Sequence, residues 1–284
     1  MRHMLICLLC LAGCAEKPLA PIDPVPVPDP GTLATCCASQ DHWPLAVVEM
    51  AEATSLWIVP ATRAVKLRPS YLEDQTGAQD HLIDQAQVLD LILMSNHSRL
   101  SGAGGDGFFG HSALFLGGEG EMRALGLWDH PAVTPHHAML RQGSVAIEAL
   151  DEGVHLSHRS DLLEADAAAL FRLERVSTAR KRAVVLHLLA QLGRPFDQSF
   201  RLDNGAPLYC TELIHDALPE ARFPQRESYG RVVIWPDEIA SQSLLGTTGF
   251  RFVTYVEGGD GGWRTGSADL MASRILAAWP ADGD

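Results

Sequence analysis

Apolar positions along the chain follow two rhythms, one suited to buried strands and one to helices. Residues 88–94 (VLDLILM) form a nearly continuous apolar run, the pattern of a strand covered on both faces. Residues 110–117 (GHSALFLG) set His111, Ala113 and Phe115 against Ser112, Leu114 and Leu116, the two-residue alternation of a strand. Residues 144–150 (SVAIEAL) predict another, with Ala146 and Glu148 on one face and Val145 and Ile147 on the other. Residues 168–175 and 250–256 read as further strands. Helical spacing runs through Val47, Val48, Met50 and Ala51 in residues 42–55. A longer helix starts at Ser177, a natural N-cap, and runs to Leu192; Val184, Val185, Leu188, Leu189 and Leu192 form its apolar stripe, and Gly193 with Pro195 ends it. A short helix begins at Cys210, with Leu213, Ile214, Ala217 and Leu218 on one face and Pro219 closing it. Residues 267–279 predict a C-terminal helix, and residues 119–142 a loop-rich insertion. Strands in the middle of the chain with helices on both sides predict an α+β domain.

Composition agrees with a folded chain. Of 284 residues, 46% are hydrophobic and 20% charged, which excludes both a disordered protein and a many-spanning membrane protein. Lys and Arg number 22 against 35 Asp and Glu, a formal net charge of −13. Such a surface repels polyphosphate, so nucleic acid is not an expected partner. The densest basic cluster, Arg180-Lys181-Arg182, falls at the solvated start of the helix that follows Ser177.

The N-terminus sets the expected compartment. Residues 1–14 read MRHMLICLLCLAGC: one cation at Arg2, an apolar stretch from Met4 to Leu11, then Leu11-Ala12-Gly13-Cys14. The stretch is far below the ~20 residues a spanning helix needs. It resembles the signal peptide and lipobox of bacterial lipoproteins. The resemblance implies removal of residues 1–13, lipid on Cys14, a membrane-anchored protein on the periplasmic side, and outer-membrane sorting favoured by Ala15. Prolines at 18, 21, 24, 26, 28 and 30 predict an extended tether over residues 14–32, with the folded domain over residues 33–284. Cys7 and Cys10 leave with the signal peptide. Cys36 and Cys37 could pair with each other, with another chain, or not at all. Cys210 is left without an obvious partner.

A cysteine at a helix N-terminus lies where unpaired N–H groups and the helix dipole favour the thiolate. It needs a general base, and histidine serves near neutral pH when a third group orients it. His111 opens one strand and Glu148 lies in the next. Five segments then occur in order: FFGHSALFLGG, SVAIEALDEGVHLSHRSDLL, GRPFDQSF, PLYCTELIHDAL and VVIWPDEIASQSLL. Together they resemble the permuted papain-like amidases of the YaeF/YiiX type, relatives of the NlpC hydrolases, over roughly residues 85–245. The resemblance implies a circularly permuted papain-like domain, with a central antiparallel sheet packed by helices and the histidine preceding the cysteine. It assigns Cys210 as nucleophile, His111 as general base and Glu148 as the group orienting it. The Cys210 N–H becomes an oxyanion donor, and Tyr209 lines the substrate site. Asp129, inside the inserted 119–142 segment, is a second carboxylate that could reach His111, and the insertion could reshape or cover the cleft.

The expected function is a cell-envelope cysteine hydrolase cleaving amide bonds in peptidoglycan stem peptides or related peptides, without a cofactor. An acyltransferase or thioesterase acting on lipid esters, and a non-catalytic peptide-binding lipoprotein, are the alternatives. His130, His136, His137, His155 and His158 cluster in sequence, but no pair has the metalloprotease i, i+4 spacing, and no metal is expected. Gly102, Gly104 and Gly107 match a nucleotide-binding pattern only nominally, because a strand follows where a helix is needed. No Gly-x-Ser-x-Gly elbow occurs.

Overall fold

The computed structural model describes residues 25–37, 44, 48, 61, 62, 64–100, 107–202, 205 and 207–279. The expected signal peptide, the expected lipid site Cys14 and most of the expected 42–55 helix lie outside the described residues. Helix α1 spans Pro30–Ala34, with the Asp29 carboxylate accepting from the Thr32 N–H at 2.9 Å. It starts inside the segment expected to be an extended tether. Proline is excluded from helix interiors but suits the first helical position, where its missing N–H has no intrahelical partner anyway. After α1, Cys36 and Cys37 are joined to each other by a disulfide, and Cys210 is a buried free thiol.

The remaining elements follow in order. They are α2 (Thr76–Ile83), β1 (Leu91–Ser95), β2 (His111–Phe115), α3 (Glu119–Ala124), α4 (His137–Arg141), β3 (Ser144–Leu150), β4 (Gly153–His158) and β5 (Ala167–Leu173). Then come α5 (Thr178–Leu189), α6 (Cys210–Ala217), β6 (Arg226–Ser228), β7 (Arg231–Val233), α7 (Pro236–Leu244), β8 (Phe250–Gly259), β9 (Gly262–Gly266) and α8 (Ala268–Ala278). Seven strands form one antiparallel sheet in the order β4-β3-β2-β1-β5-β8-β9, and β6 pairs with β7 separately.

Strand alternation sorts side chains into two cores. Leu91 and Leu93, Leu114, Ile147 and Ala149, and Ala169 and Phe171 point to one face. There they meet α5 and α6 through Val184, Val185, Leu188, Leu213 and Ile214. Ile92, Met94, Ala113, Ala146 and Leu170 point to the other, covered by Ala78 and Leu82 of α2 and by Leu162 and Leu163. β3 departs from the expected alternation at one position. A register shift between Ser144 and Ala146 puts Val145 in the same cluster as Ala146, while Ile147 stays opposite. A bulge adds one residue and so resets the face.

The 119–142 segment is not loop-rich. It holds α3 and α4 around buried Met122, Leu125, Leu127, Trp128, Val133 and Leu140, which join the helix-side core. His137 stacks on Trp128 with centroids 3.7 Å apart, and Arg123 and Arg141 flank the same indole. Each helix is under two turns long, too short for periodicity to reveal it.

Candidate active site

Three neighbouring strands supply one wall. Register places Ala113 opposite Glu148, and Glu148 opposite His155. His111 lies two residues before Ala113 and shares its face, so His111, Glu148, His155 and Ser157 crowd one end of the sheet. The β3–β4 turn brings the backbone close to the 194–195 segment. Gly153 takes φ +93°, and a Cβ there would collide with the Arg194 carbonyl oxygen. Only glycine fits this turn without strain.

The other wall is the start of α6. Cys210 occupies its first position, so its N–H has no intrahelical acceptor and the helix dipole favours negative charge there. The strand-like segment around Ile234 fastens this end: the Ile234 N–H donates to the Tyr209 hydroxyl at 3.3 Å, and Thr211 donates to the Ile234 carbonyl at 2.8 Å. Tyr209, expected to line the substrate site, is 2% exposed and does not reach the main cleft. It borders a recess of about 70 Å³ that Cys210, Trp235 and Trp279 also line, and its hydroxyl accepts from the Ile234 N–H.

His111 Nε2 lies 2.6 Å from Glu148 Oε2, which leaves Nδ1 for the thiol. Glu148 is 5% exposed at its side chain; Ser157 donates to its Oε1, and His155 Nε2 lies 3.6 Å from that same oxygen. Asp129 is exposed within the insertion, and no residue of the insertion lines the cleft. The carboxylate beside His111 is therefore Glu148, and the expected covering of the cleft by residues 119–142 does not occur.

The electrostatics favour a thiolate–imidazolium pair. Burial pushes the Cys210 thiol up, but the positive charge and hydrogen bond of His111 outweigh it and the net pKa is lowered. Ser112 adds to this from its hydroxyl and backbone N–H, although the hydroxyl makes no hydrogen bond of good geometry. Burial opposes protonation of His111, yet the charges and hydrogen bonds of Cys210 and Glu148 raise its pKa to about 10. Burial would raise Glu148, but its hydrogen bond to His111 and the neighbouring His155 hold it well below the usual carboxylate range.

The pair sits at the floor of a cleft of about 720 Å³, walled by Met94, Phe108, Leu162, Phe196 and Phe200. Two carboxylates fix its edges. Asp237, at the start of α7, accepts the Phe108 and Phe109 N–H groups at 2.6 and 2.7 Å and the Trp279 indole N–H at 2.6 Å. That pins the loop leading into His111. Asp197 accepts the Ser199 and Arg201 N–H groups at 2.8 and 2.9 Å, turning the chain that carries Phe196 and Phe200.

Sequence reasoning brought Cys210, His111 and Glu148 together but missed His155, Ser157 and Asp237. The period-two pattern of residues 153–158 (GVHLSH) was the available signal for the first two, and Asp after Trp-Pro at a helix start for the third. The other clustered histidines are dispersed: His137 lies on Trp128, and His158 bonds the Gln142 carbonyl at 2.8 Å.

Residues 85–256, more than half of the chain, match the sequence profile described as permuted papain-like amidase enzyme, YaeF/YiiX, C92 family. Searches of curated proteins and of solved structures found no match. The chain belongs to this permuted papain-like family, and with it to the amide-cleaving hydrolases of cysteine type.

Proposed function

We propose that the chain cleaves peptide amide bonds with Cys210 as nucleophile, His111 as acid and base, and Glu148 as its orienting carboxylate. The observation that carries this reading is His111 held between the Cys210 thiol and Glu148, at the floor of the cleft. Thiolate sulfur adds to the amide carbonyl while the Cys210 N–H receives the developing oxyanion. The C–N bond then breaks as the His111 imidazolium gives its proton to the leaving nitrogen, which departs as an amine and leaves a thioester. Neutral His111 takes a proton from water as the water oxygen attacks that thioester. The C–S bond breaks, the acid leaves, and the thiolate–imidazolium pair is restored.

A cleft of about 720 Å³ is within the range that encloses several peptide groups. Lipid on Cys14 would hold the enzyme at the cell envelope, on the periplasmic side, and Ala15 favours the outer membrane. Peptidoglycan stem peptides are the substrate class such a location offers. The test is turnover of purified muropeptides, and separately of acyl esters, by wild-type protein and Cys210→Ala. Muropeptide cleavage lost in the variant is the expected result. Turnover of acyl esters alone would transfer the reading to an acyl hydrolase, and cleavage surviving in Cys210→Ala would end both.

A further inference from the structure

Glu148 has a second imidazole neighbour, His155, which the family assignment leaves unused. β4 sets His155 and Ser157 on the Glu148 face, and the register places His155 directly across from Glu148. His155 Nδ1 lies 2.9 Å from the Gly153 carbonyl oxygen. A carbonyl can only accept, so Nδ1 carries a proton. Nε2 lies 3.6 Å from Glu148 Oε1 and 3.7 Å from Glu152 Oε1. A lone pair on Nε2 would face two carboxylates, whereas a proton there attracts both. That arrangement favours a proton on both ring nitrogens.

We propose that His155 is a positioning residue of the amidase reaction, acting as an imidazolium that holds Glu148 and shares its charge with His111. The inference rests on the Cys210–His111–Glu148 reading given above. Glu148 is divided between two cations: Oε2 serves His111, and Oε1 takes Ser157 and faces His155. The charged groups facing His155 are Glu148 from β3 and Glu152 from the turn. Farther along the cleft wall stand His97, Asp151, Asp161 and the Arg99–Glu164 pair. The Glu148 carboxylate 3.6 Å away, the largest influence, raises the pKa of His155 above the usual histidine value against burial, which lowers it. Without the His155 charge, the whole of Glu148 would act on His111, whose pKa is already about 10. A His111 held more tightly protonated gives up its proton to the leaving amine less readily.

The experiment is a nitrogen NMR titration of the imidazoles in the full chain, wild type against His155→Gln and His155→Lys, beside kcat/KM against pH on a peptide amide. At pH 7 both His155 nitrogens should be protonated. In His155→Gln the titration of His111 and the alkaline limb of kcat/KM should move up by about one pH unit. His155→Lys, which restores a cation, should return both to the wild-type position. A singly protonated His155 at pH 7 overturns the proposal, as does His111 titrating at the same pH in wild type and His155→Gln. The NMR readout needs no substrate, so it stands apart from the Cys210→Ala cleavage test that judges the amidase chemistry.

Discussion

Replacing Glu148 with Gln keeps a side chain of nearly the same shape and an oxygen that can accept from His111, and removes the charge. Unit charges about 4 Å apart at the effective dielectric of a partly buried site interact by about 4 kcal/mol, and each 1.36 kcal/mol is one pH unit. Full loss would therefore move His111 by about three units. The 19% exposure of the His111 side chain admits solvent screening, so a fall of about two units is the working figure. His111 would drop from about 10 towards about 8. The equilibrium that moves the proton from thiol to imidazole would weaken about 10²-fold, since two pH units are two decades. One assay reads this. The alkaline limb of kcat/KM should move down by about two units, opposite in direction to the shift expected for His155→Gln. An alkaline limb unchanged in Glu148→Gln would refute the reasoning, because a neutral amide would then support His111 as well as the buried carboxylate does.

Gly153→Ala should cost about 1–3 kcal/mol in urea unfolding, because φ +93° and the Arg194 carbonyl both oppose a Cβ; a change under 0.5 kcal/mol, roughly the scatter for surface sites, would mean that the turn relaxes. Asp237→Ala strands the Phe108, Phe109 and Trp279 N–H groups and should cost about 3 kcal/mol, with kcat reduced about tenfold as the loop into His111 loses its anchor. Unaltered kcat in that variant would detach the loop from catalysis. Cys14→Ser should move the protein out of the membrane fraction or leave its signal peptide uncleaved, whereas wild type should stay with membranes through high-salt washing; fractionation and intact mass decide it.

The strands that carry the site were legible because they are buried on both faces or alternate cleanly. β1, β2 and β3 begin and end within three residues of their expected bounds. The helix from Thr178 to Leu189 carries its Ser177 cap and the expected stripe, but stops short of Leu192 as the chain turns towards Gly193. β4 announces itself only through Val154 and Leu156 alternating with His155 and Ser157, too short a pattern to stand out, and the site role of the two polar residues depends on a carboxylate from the next strand. β9 (GWRTG) has too few apolar residues to announce a strand and relies on pairing with β8. α2 is hidden likewise, for only Ala78, Gln79 and Leu82 in it are buried. Within the site, Glu148 was accessible by strand parity. The choice between Glu148 and Asp129 was not, because it turns on which segment packs against which face.

The base and its carboxylate lie within one continuous meander, residues 111–158, while the nucleophile arrives from a different layer about fifty residues further along the chain. The strand pairs can close locally, but the sulfur meets His111 only when α6 docks on the sheet. Until then Cys210 is an ordinary thiol near pKa 8.5, almost wholly protonated at pH 6. Reactivity is thus a late product of folding. A chain not yet folded, or unfolded by heat, carries no activated sulfur to attack its neighbours or to be oxidised first. The same separation would turn an alkylation pulse below the free-thiol range into a clock for maturation: molecules whose two layers have joined, with their lowered thiol, should label faster than the rest.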